Sequence, residues 1–305
     1  MPDLRPHSDD LTAPGRGAAV GIGNFDGVHL GHRAVLTRLF EAAARLGVAS
    51  VVYTFDPAPT AVVAPERHQP RLQTLASRVA CLRAEGVAEV VVESFTREFA
   101  SVPAPEFARE FLDRRLGVRA LVVGHDFRFG NMRGGDAARL REWLPGVEIH
   151  EVAALADEHG PISSSRIRKL VAAGNVAAAA LLLGRPHRVS GPVVLGDQRG
   201  RTIGFPTANI AMQQELLPGA GVYAGRAWVD GVAYLSAINL GIRPTVDGAR
   251  YSVEAHLLDF SANLYGRELA IDLVTRIRDE RRFGGLDALK TQIAKDVQMV
   301  RSVLT

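Results

Sequence analysis

The chain has 305 residues, enough at about 150 residues per domain for two domains rather than one small module. Hydrophobic residues make up 47% and charged residues 23%, a globular balance that excludes a disordered or fibrous chain. The net charge of +3, from 36 basic against 33 acidic residues, argues against a basic nucleic-acid-binding surface and suits small anionic ligands better.

The longest apolar run, Val176–Leu183, is far short of the roughly 20 residues of a membrane span, and the N-terminal residues lack a signal-peptide core, so a cytoplasmic protein without a membrane partner is expected. Cys81 is the single cysteine; it cannot close an internal disulfide and reads as core packing. From residue 18 to 183, short β-rich runs at 18–22, 48–54, 89–93, 120–123 and 147–152, most of them apolar throughout, alternate with helical patterns such as 32–46 and 104–116. This is the order of a parallel sheet with crossover helices. After Leu183, Gly184-Arg-Pro-His-Arg188 breaks the pattern, and the domain boundary is placed there, giving 1–184 and 185–305. Runs at 187–195, 221–229, 232–240, 251–258 and 269–278, divided by turns such as Asp230-Gly231, read as an antiparallel barrel or sandwich. The segment 285–304 returns to helical period, with Leu286, Leu289, Ile293, Val297, Val300 and Leu304 on one stripe that should pack on the barrel.

Between the first strand and the first helix stands Gly23-Asn-Phe-Asp-Gly-Val-His-Leu-Gly-His32. Glycines at 23, 27 and 31 let backbone approach a ligand closely, a helix N-terminus supplies N–H groups, and His29 and His32, three apart on the first helical turn, can donate to phosphate oxygens. A histidine pair that only caps a turn, or a zinc site, is the alternative. Three other polar segments also follow predicted strands: Thr54-Phe-Asp-Pro-Ala-Pro59 with Pro57, Gly124-His-Asp-Phe-Arg-Phe-Gly130 with Asp126 and Phe127, and Ile162-Ser-Ser-Ser-Arg-Ile-Arg168. At the carboxyl edge of a parallel sheet they form one cleft, where Ser164, Ser165 and Arg168 would hold a triphosphate and Asp126 its Mg²⁺. Gly-x-x-x-x-Gly-Lys-Ser/Thr does not occur in this half, and Gly21-x-Gly23 is followed by Asp26 where a dinucleotide fingerprint needs glycine. The pattern suits nucleotidyl transfer, in which a phosphate of the substrate attacks ATP.

In the second half, Gly191-Pro-Val-Val-Leu-Gly196-Asp-Gln-Arg-Gly-Arg201 leads into Gly204-Phe-Pro206-Thr207-Ala-Asn209. Arg199 and Arg201 can meet phosphate oxygens, and the oxygens of Thr207 and Asn209, two apart on an extended segment, can share Mg²⁺; a turn-rich β connection is the plain alternative. On the run 251–258, Glu254 falls on the polar side, where a carboxylate can take the proton of an alcohol attacking the γ-phosphate of ATP, or merely be solvated.

In combination and order, these motifs resemble the bacterial bifunctional riboflavin kinase/FAD synthetase family over nearly the whole chain from about residue 18. The segments containing Gly23, Asn24, Phe25, Asp26, Gly27 and Gly31, Thr54 and Pro57, Asp126 and Phe127, and Ser164, Ser165 and Arg168 resemble the FMN adenylyltransferase motifs. Gly204-Phe-Pro-Thr-Ala-Asn209, Gly221-Val-Tyr-Ala224, Asn239-Leu-Gly-Ile-Arg243-Pro-Thr245 and Val253-Glu254 resemble the riboflavin kinase motifs. The resemblance implies an N-terminal nucleotidyltransferase-like Rossmann domain and a C-terminal antiparallel riboflavin-kinase-like barrel with a terminal helix. It implies Mg²⁺ with ATP as co-substrate, and riboflavin, FMN and FAD as small-molecule partners. It implies Glu254 as base, Thr207 and Asn209 at the metal and phosphates, and His29, His32, Ser164 and Arg168 on the ATP phosphates. Where the family often has Thr and Asn, this chain has Ser165 and Asp126. A single-activity adenylyltransferase with a non-catalytic barrel, and a flavin- or RNA-binding regulator, are the rival readings.

Overall fold

Apolar runs with no polar alternation need cover on both faces, and those of the first unit have it. In the computed structural model, which describes residues 17–196, 200, 203–245, 248–281 and 283–305, with only the backbone at 242–245 and 248–250, five parallel strands pair in the order β3-β2-β1-β4-β5. They are β1 (Ala18–Ile22), β2 (Ala49–Asp56), β3 (Glu89–Ser94), β4 (Val118–Gly124) and β5 (Glu148–Val152). Successive residues point to opposite faces, so Val20, Val51 and Leu121 join Phe107 and Leu112 in one core, while Ala19, Val52 and Val122 join Leu36, Leu39 and Leu82 in the other. Cys81 packs half-buried against this second core.

Helix α1 (Leu30–Leu46) follows β1 and ends at Gly47 in left-handed backbone, φ +64°; α2 (Pro59–Val63) and α3 (Leu75–Ala84) follow β2. The helical pattern at 104–116 is a short α-turn, Ala104–Glu106, that widens into a π-helix over Phe107–Arg115. A ribbon of β6 (Ala156–Asp157) and β7 (Gly160–Pro161) comes after β5. Because β1 is central, the chain builds outward through β2 and β3 and then crosses back to β4. The strand order therefore reverses between β1 and β4, which is where an open parallel sheet leaves a ligand crevice.

By contacts, Leu75–Ser163 groups with the chain up to Pro70, whereas Arg71–Thr74 and Ser164–Thr305 form the second unit. The helices Ser164–Ala172 and Val176–Leu183 thus group with the barrel although they precede Gly184. Val176 is part of the barrel core, and Ala179, Leu182 and Leu183 are buried.

The second unit is a closed antiparallel barrel, which settles the choice between barrel and sandwich. Its strands are β8 (His187–Val194), β9 (Ala208–Ile210), β10 (Gly221–Val229), β11 (Val232–Thr245), β12 (Gly248–Leu257) and β13 (Glu268–Arg278), in the order β10-β11-β12-β9-β8-β13. Two features differ from expectation: Ala208–Ile210 forms a strand within the glycine-rich segment, and β11, expected over 232–240, runs on to Thr245. The helix Leu286–Leu304 packs on the barrel through Val297, Val300 and Leu304, but Leu286 of the expected stripe is 64% exposed. Its firmest anchor is polar: Asp296, 4% exposed, receives Arg278 Nη2 at 2.7 Å and Gln292 Nε2 at 2.8 Å.

His187, at the start of β8, is buried, and its Nε2 has no hydrogen-bond partner among the described residues. Burial, aided by the Arg185 charge and opposed by Asp272, lowers its pKa from 6.5 to about 4. As pH falls from 6.5 towards 4 the unfolded chain binds this proton and the folded barrel does not. Folding should therefore lose up to about 3 kcal/mol across that window and no more below it from this group. Urea unfolding followed by circular dichroism at both ends of the window measures the loss. A His187→Leu barrel should lose less, and an equal loss would acquit His187.

Two candidate active sites

The loop leaving β1 is held in a costly backbone shape. Phe25 (φ +48°), Gly27 (φ +89°) and Val28 (φ +39°) all lie in the left-handed region, which only a surrounding structure that over-determines the turn can hold. His29 is not on the first turn of α1, as its spacing suggested, but is its N-cap. The His32 N–H donates to His29 Nδ1 at 3.3 Å, the His29 N–H donates to His32 Nδ1 at 3.3 Å, and the two rings stack with centroids 3.7 Å apart. The capping alternative and the phosphate reading therefore describe the same residues: with both Nδ1 atoms accepting, each neutral ring carries its proton on Nε2, which becomes the donor atom. Gly31 packs closely beside them: a Cβ there would sit 3.1 Å from the His29 ring and 3.2 Å from Ile162 O, so these neighbours would have to give by a few tenths of an ångström.

The other predicted residues of this unit divide by burial. Phe25 (1% exposed) and Thr54 (0%) lie inside: Phe25 packs in the α1 core and against the His32 ring, and Thr54 Oγ1 donates to Asn24 O at 3.2 Å. Both support the loop from behind, with their side chains turned inward. Asp26 is buried as well, whereas the side chains of Asn24, Pro57 and Asp126 are exposed and Gly23 is half-buried. Phe127 stacks on Phe129 at 5.4 Å, and ring contacts run on through Phe107 and Phe99 to Phe55 and Phe95. The loops after β1, β2 and β4 share the carboxyl edge of three adjacent strands. Ser164, Ser165 and Arg168 lie on the helix Ser164–Ala172 of the second unit, where Ser164 and Arg168, four apart, share a face.

On the barrel, strand register does the assembling. Asn209 on β9 pairs with Glu254 on β12, and Glu254 pairs with Asn239 on β11, so three polar side chains stand in one row across three strands. Val253, Ala255 and Leu257 are buried, which puts Glu254 on the outer face as the alternation predicted, and Thr207, two before Asn209, falls on the same side. The glycines form a close-fitting cradle. A Cβ on Gly196 would sit 2.3 Å from Asn209 Nδ2, and one on Gly200 would sit 2.4 Å from Phe205 O and 3.3 Å from Thr207 Oγ1. Gly204 takes φ +88°, and the Pro206 carbonyl lies 2.8 Å from His256 Nδ1. Arg199 and Arg201 lie outside the described residues, as does the side chain of Arg243. Beside Thr207 opens a cavity of about 580 Å³ walled by Pro206, Ala255, Phe260, Asn263 and Tyr265.

Neither the wall 260–265 nor Arg78 was singled out from the sequence. Arg78 gave the clearest signal, because it interrupts the apolar stripe Leu75, Val79, Leu82 of α3 and is nevertheless 2% exposed. Among the described residues no group of three or more His, Cys, Asp or Glu could hold a metal by itself, and no helix is long and apolar enough to cross a membrane.

Comparison with known proteins agrees with this architecture. A family model described as FAD synthetase matches residues 12–166, and one described as riboflavin kinase matches residues 183–304. Bifunctional riboflavin kinase/FMN adenylyltransferases from Escherichia coli (41% identical, covering 93% of this chain and 92% of the relative) and Bacillus subtilis (36%, 92% and 90%) align along nearly their whole length. A solved structure from Streptococcus pneumoniae, described as a macrolide-efflux protein, is 32% identical with a TM-score of 0.89 over 97% of each chain. With enzyme domains matched in both halves and relatives of this kind covering more than nine-tenths of it, the chain belongs to the bifunctional riboflavin kinase/FMN adenylyltransferase family.

Proposed function

We propose that the family's two activities are divided between the two units. The barrel phosphorylates riboflavin to FMN with ATP, and the carboxyl edge of the parallel sheet joins FMN to the AMP moiety of ATP and releases pyrophosphate. The observation that carries the kinase half is the row Asn209–Glu254–Asn239 beside the glycine cradle. Glu254 accepts the proton of the riboflavin alcohol as its oxygen attacks the γ-phosphorus, while Thr207 and Asn209 meet the phosphates. The neighbouring cavity has the volume of a small-ligand site and receives the adenosine end of the nucleotide.

Mg²⁺ fits this donor set. Thr207 and Asn209 offer hard, uncharged oxygens, and phosphate oxygens and water complete the shell of a cation that seldom takes an all-protein cage. When bound, it neutralises the charge gathering on the transferred phosphoryl group.

In the first unit the Nε2–H groups of His29 and His32 and the α1 N-terminus orient and neutralise the ATP phosphates, while Ser164, Ser165 and Arg168 stand on a helix of the second unit as candidate phosphate contacts of their own. The flavin ring lies on the aromatic series that reaches the sheet edge at Phe55 and Phe127. Asp126, exposed beside that edge, is retained as a candidate for holding Mg²⁺. We further propose 185–305 as the kinase segment, supported by the start of β8 at His187 and of the riboflavin kinase match at 183, and a cytoplasmic location, where ATP is supplied.

The test is an incubation of the full chain with riboflavin, ATP and MgCl₂, resolved by chromatography. FMN should form first and FAD after it, and EDTA should stop both. A chain that makes FAD from FMN but no FMN from riboflavin would leave the barrel without its proposed activity.

A further inference from the structure

We propose that Arg78 is a positioning residue for adenylyl transfer, its buried guanidinium tying together the loops that follow β1 and β2. The inference rests on the reading of the Gly23–His32 loop as the ATP cradle. Nη1 of Arg78 donates to Asn24 O at 2.8 Å, and Nη2 donates to Phe55 O at 2.9 Å. Asn24 O also accepts from Thr54 Oγ1 at 3.2 Å, so both lone pairs of that carbonyl are engaged. The carbonyl so fixed immediately precedes Phe25, and the left-handed turn through Phe25, Gly27 and Val28 leads directly to the His29 cap. The placement of both imidazoles is therefore inherited from Asn24. The Phe55 carbonyl stands at the carboxyl end of β2, one residue before Asp56 closes the strand and Pro57 opens the second loop of the same sheet edge.

The residue type matters here. Burying a cation is costly, and a loop that needed only packing would be backed by an apolar side chain like Val79 or Leu82 on the same helix stripe. A planar guanidinium serves two carbonyls at a fixed spacing, which an ammonium on a flexible stem does not. Its positive charge also lies just behind backbone that must receive a polyanion, in an interior that screens it little.

The experiment uses the full chain, with both activities assayed on each preparation. Arg78→Met should lower kcat for FMN adenylylation about thirtyfold per folded molecule, the scale expected for a cradle displaced by a fraction of an ångström, while riboflavin phosphorylation stays near wild type. Arg78→Lys should recover only part of the loss, and guanidinium ion at about 20 mM should stimulate Arg78→Ala where sodium chloride does not, because only the planar cation restores both bonds. If Arg78→Met keeps wild-type kcat, or if its loss matches the unfolded fraction alone, the positioning role is overturned. Should the Met variant not accumulate folded, Arg78→Lys decides: a reduced kcat supports the role and a wild-type kcat overturns it. Adenylylation that survives His32→Ala overturns the cradle reading itself, whereas adenylylation lost in His32→Ala and intact in Arg78→Met overturns only the role of Arg78.

Discussion

Glu254→Gln should lower riboflavin phosphorylation by a factor of about 10²–10⁴, the usual worth of a positioned general base, and leave the conversion of added FMN to FAD unchanged. The substitution preserves shape and one acceptor oxygen but removes the group that can take a proton. The site places Glu254 well for that task. Directly opposed residues on antiparallel strands have Cβ atoms about 5 Å apart, so the carboxylate stands next to Asn209, whose amide packs against Gly196 at the mouth of the cradle. Retention of wild-type kinase activity would mean that the proton leaves by another route and that Glu254 is one more solvated strand carboxylate. A loss of both activities would point to unfolding, which circular dichroism of the variant detects. The selective loss separates a catalytic barrel from one that only binds.

Much of this was legible from residue pattern because burial leaves simple traces. Strands covered on both faces are largely apolar, so β1 to β4 stood out, whereas the edge strand β5 carries Glu148, His150 and Glu151; the alternation of β12 showed which side Glu254 occupies. What escaped was structure made by exceptions to pattern. β9 is three residues long and carries Asn209, too short and too polar to announce itself, while β11 contains Gly241 and Pro244, residues that ordinarily end strands. The start of α1 was misplaced because imidazoles are unusual caps. Arg78 on α3 and Asp296 on the C-terminal helix share a further lesson. Each is a charged residue on an otherwise apolar stripe, each is nearly inaccessible, and each ties its helix to something specific: two loop carbonyls in one case, Arg278 in the other. A charge on the buried side of a helix is a signal that hydropathy averages away. The glycine cradle around Thr207 and Asn209 was visible as composition but not as geometry, since only the register of β9 against β12 shows which oxygens it presents.

Alanine at either His29 or His32 should lower FMN adenylylation at least about 10²-fold, the scale for loss of one preorganised donor to a developing anion, with riboflavin phosphorylation spared. The two effects should not add. Each ring accepts the backbone N–H of the other residue and the rings stack, so removing one ring takes the stacking from its partner, which still accepts the backbone N–H that alanine keeps. The double variant should therefore lose less than the product of the two single losses, and a double-mutant cycle on kcat/KM measures the coupling. Helix capping alone would give a different outcome. His29→Asn supplies a good N-cap oxygen and should hold α1 within about 1 kcal/mol of wild type, but it places no donor where Nε2–H stood. An asparagine variant with native stability and little adenylylation would show that the imidazole acts on the nucleotide. Restored turnover in that variant would reduce the pair to a cap, and the neutralisation of phosphate would then fall to the loop backbone and the arginines.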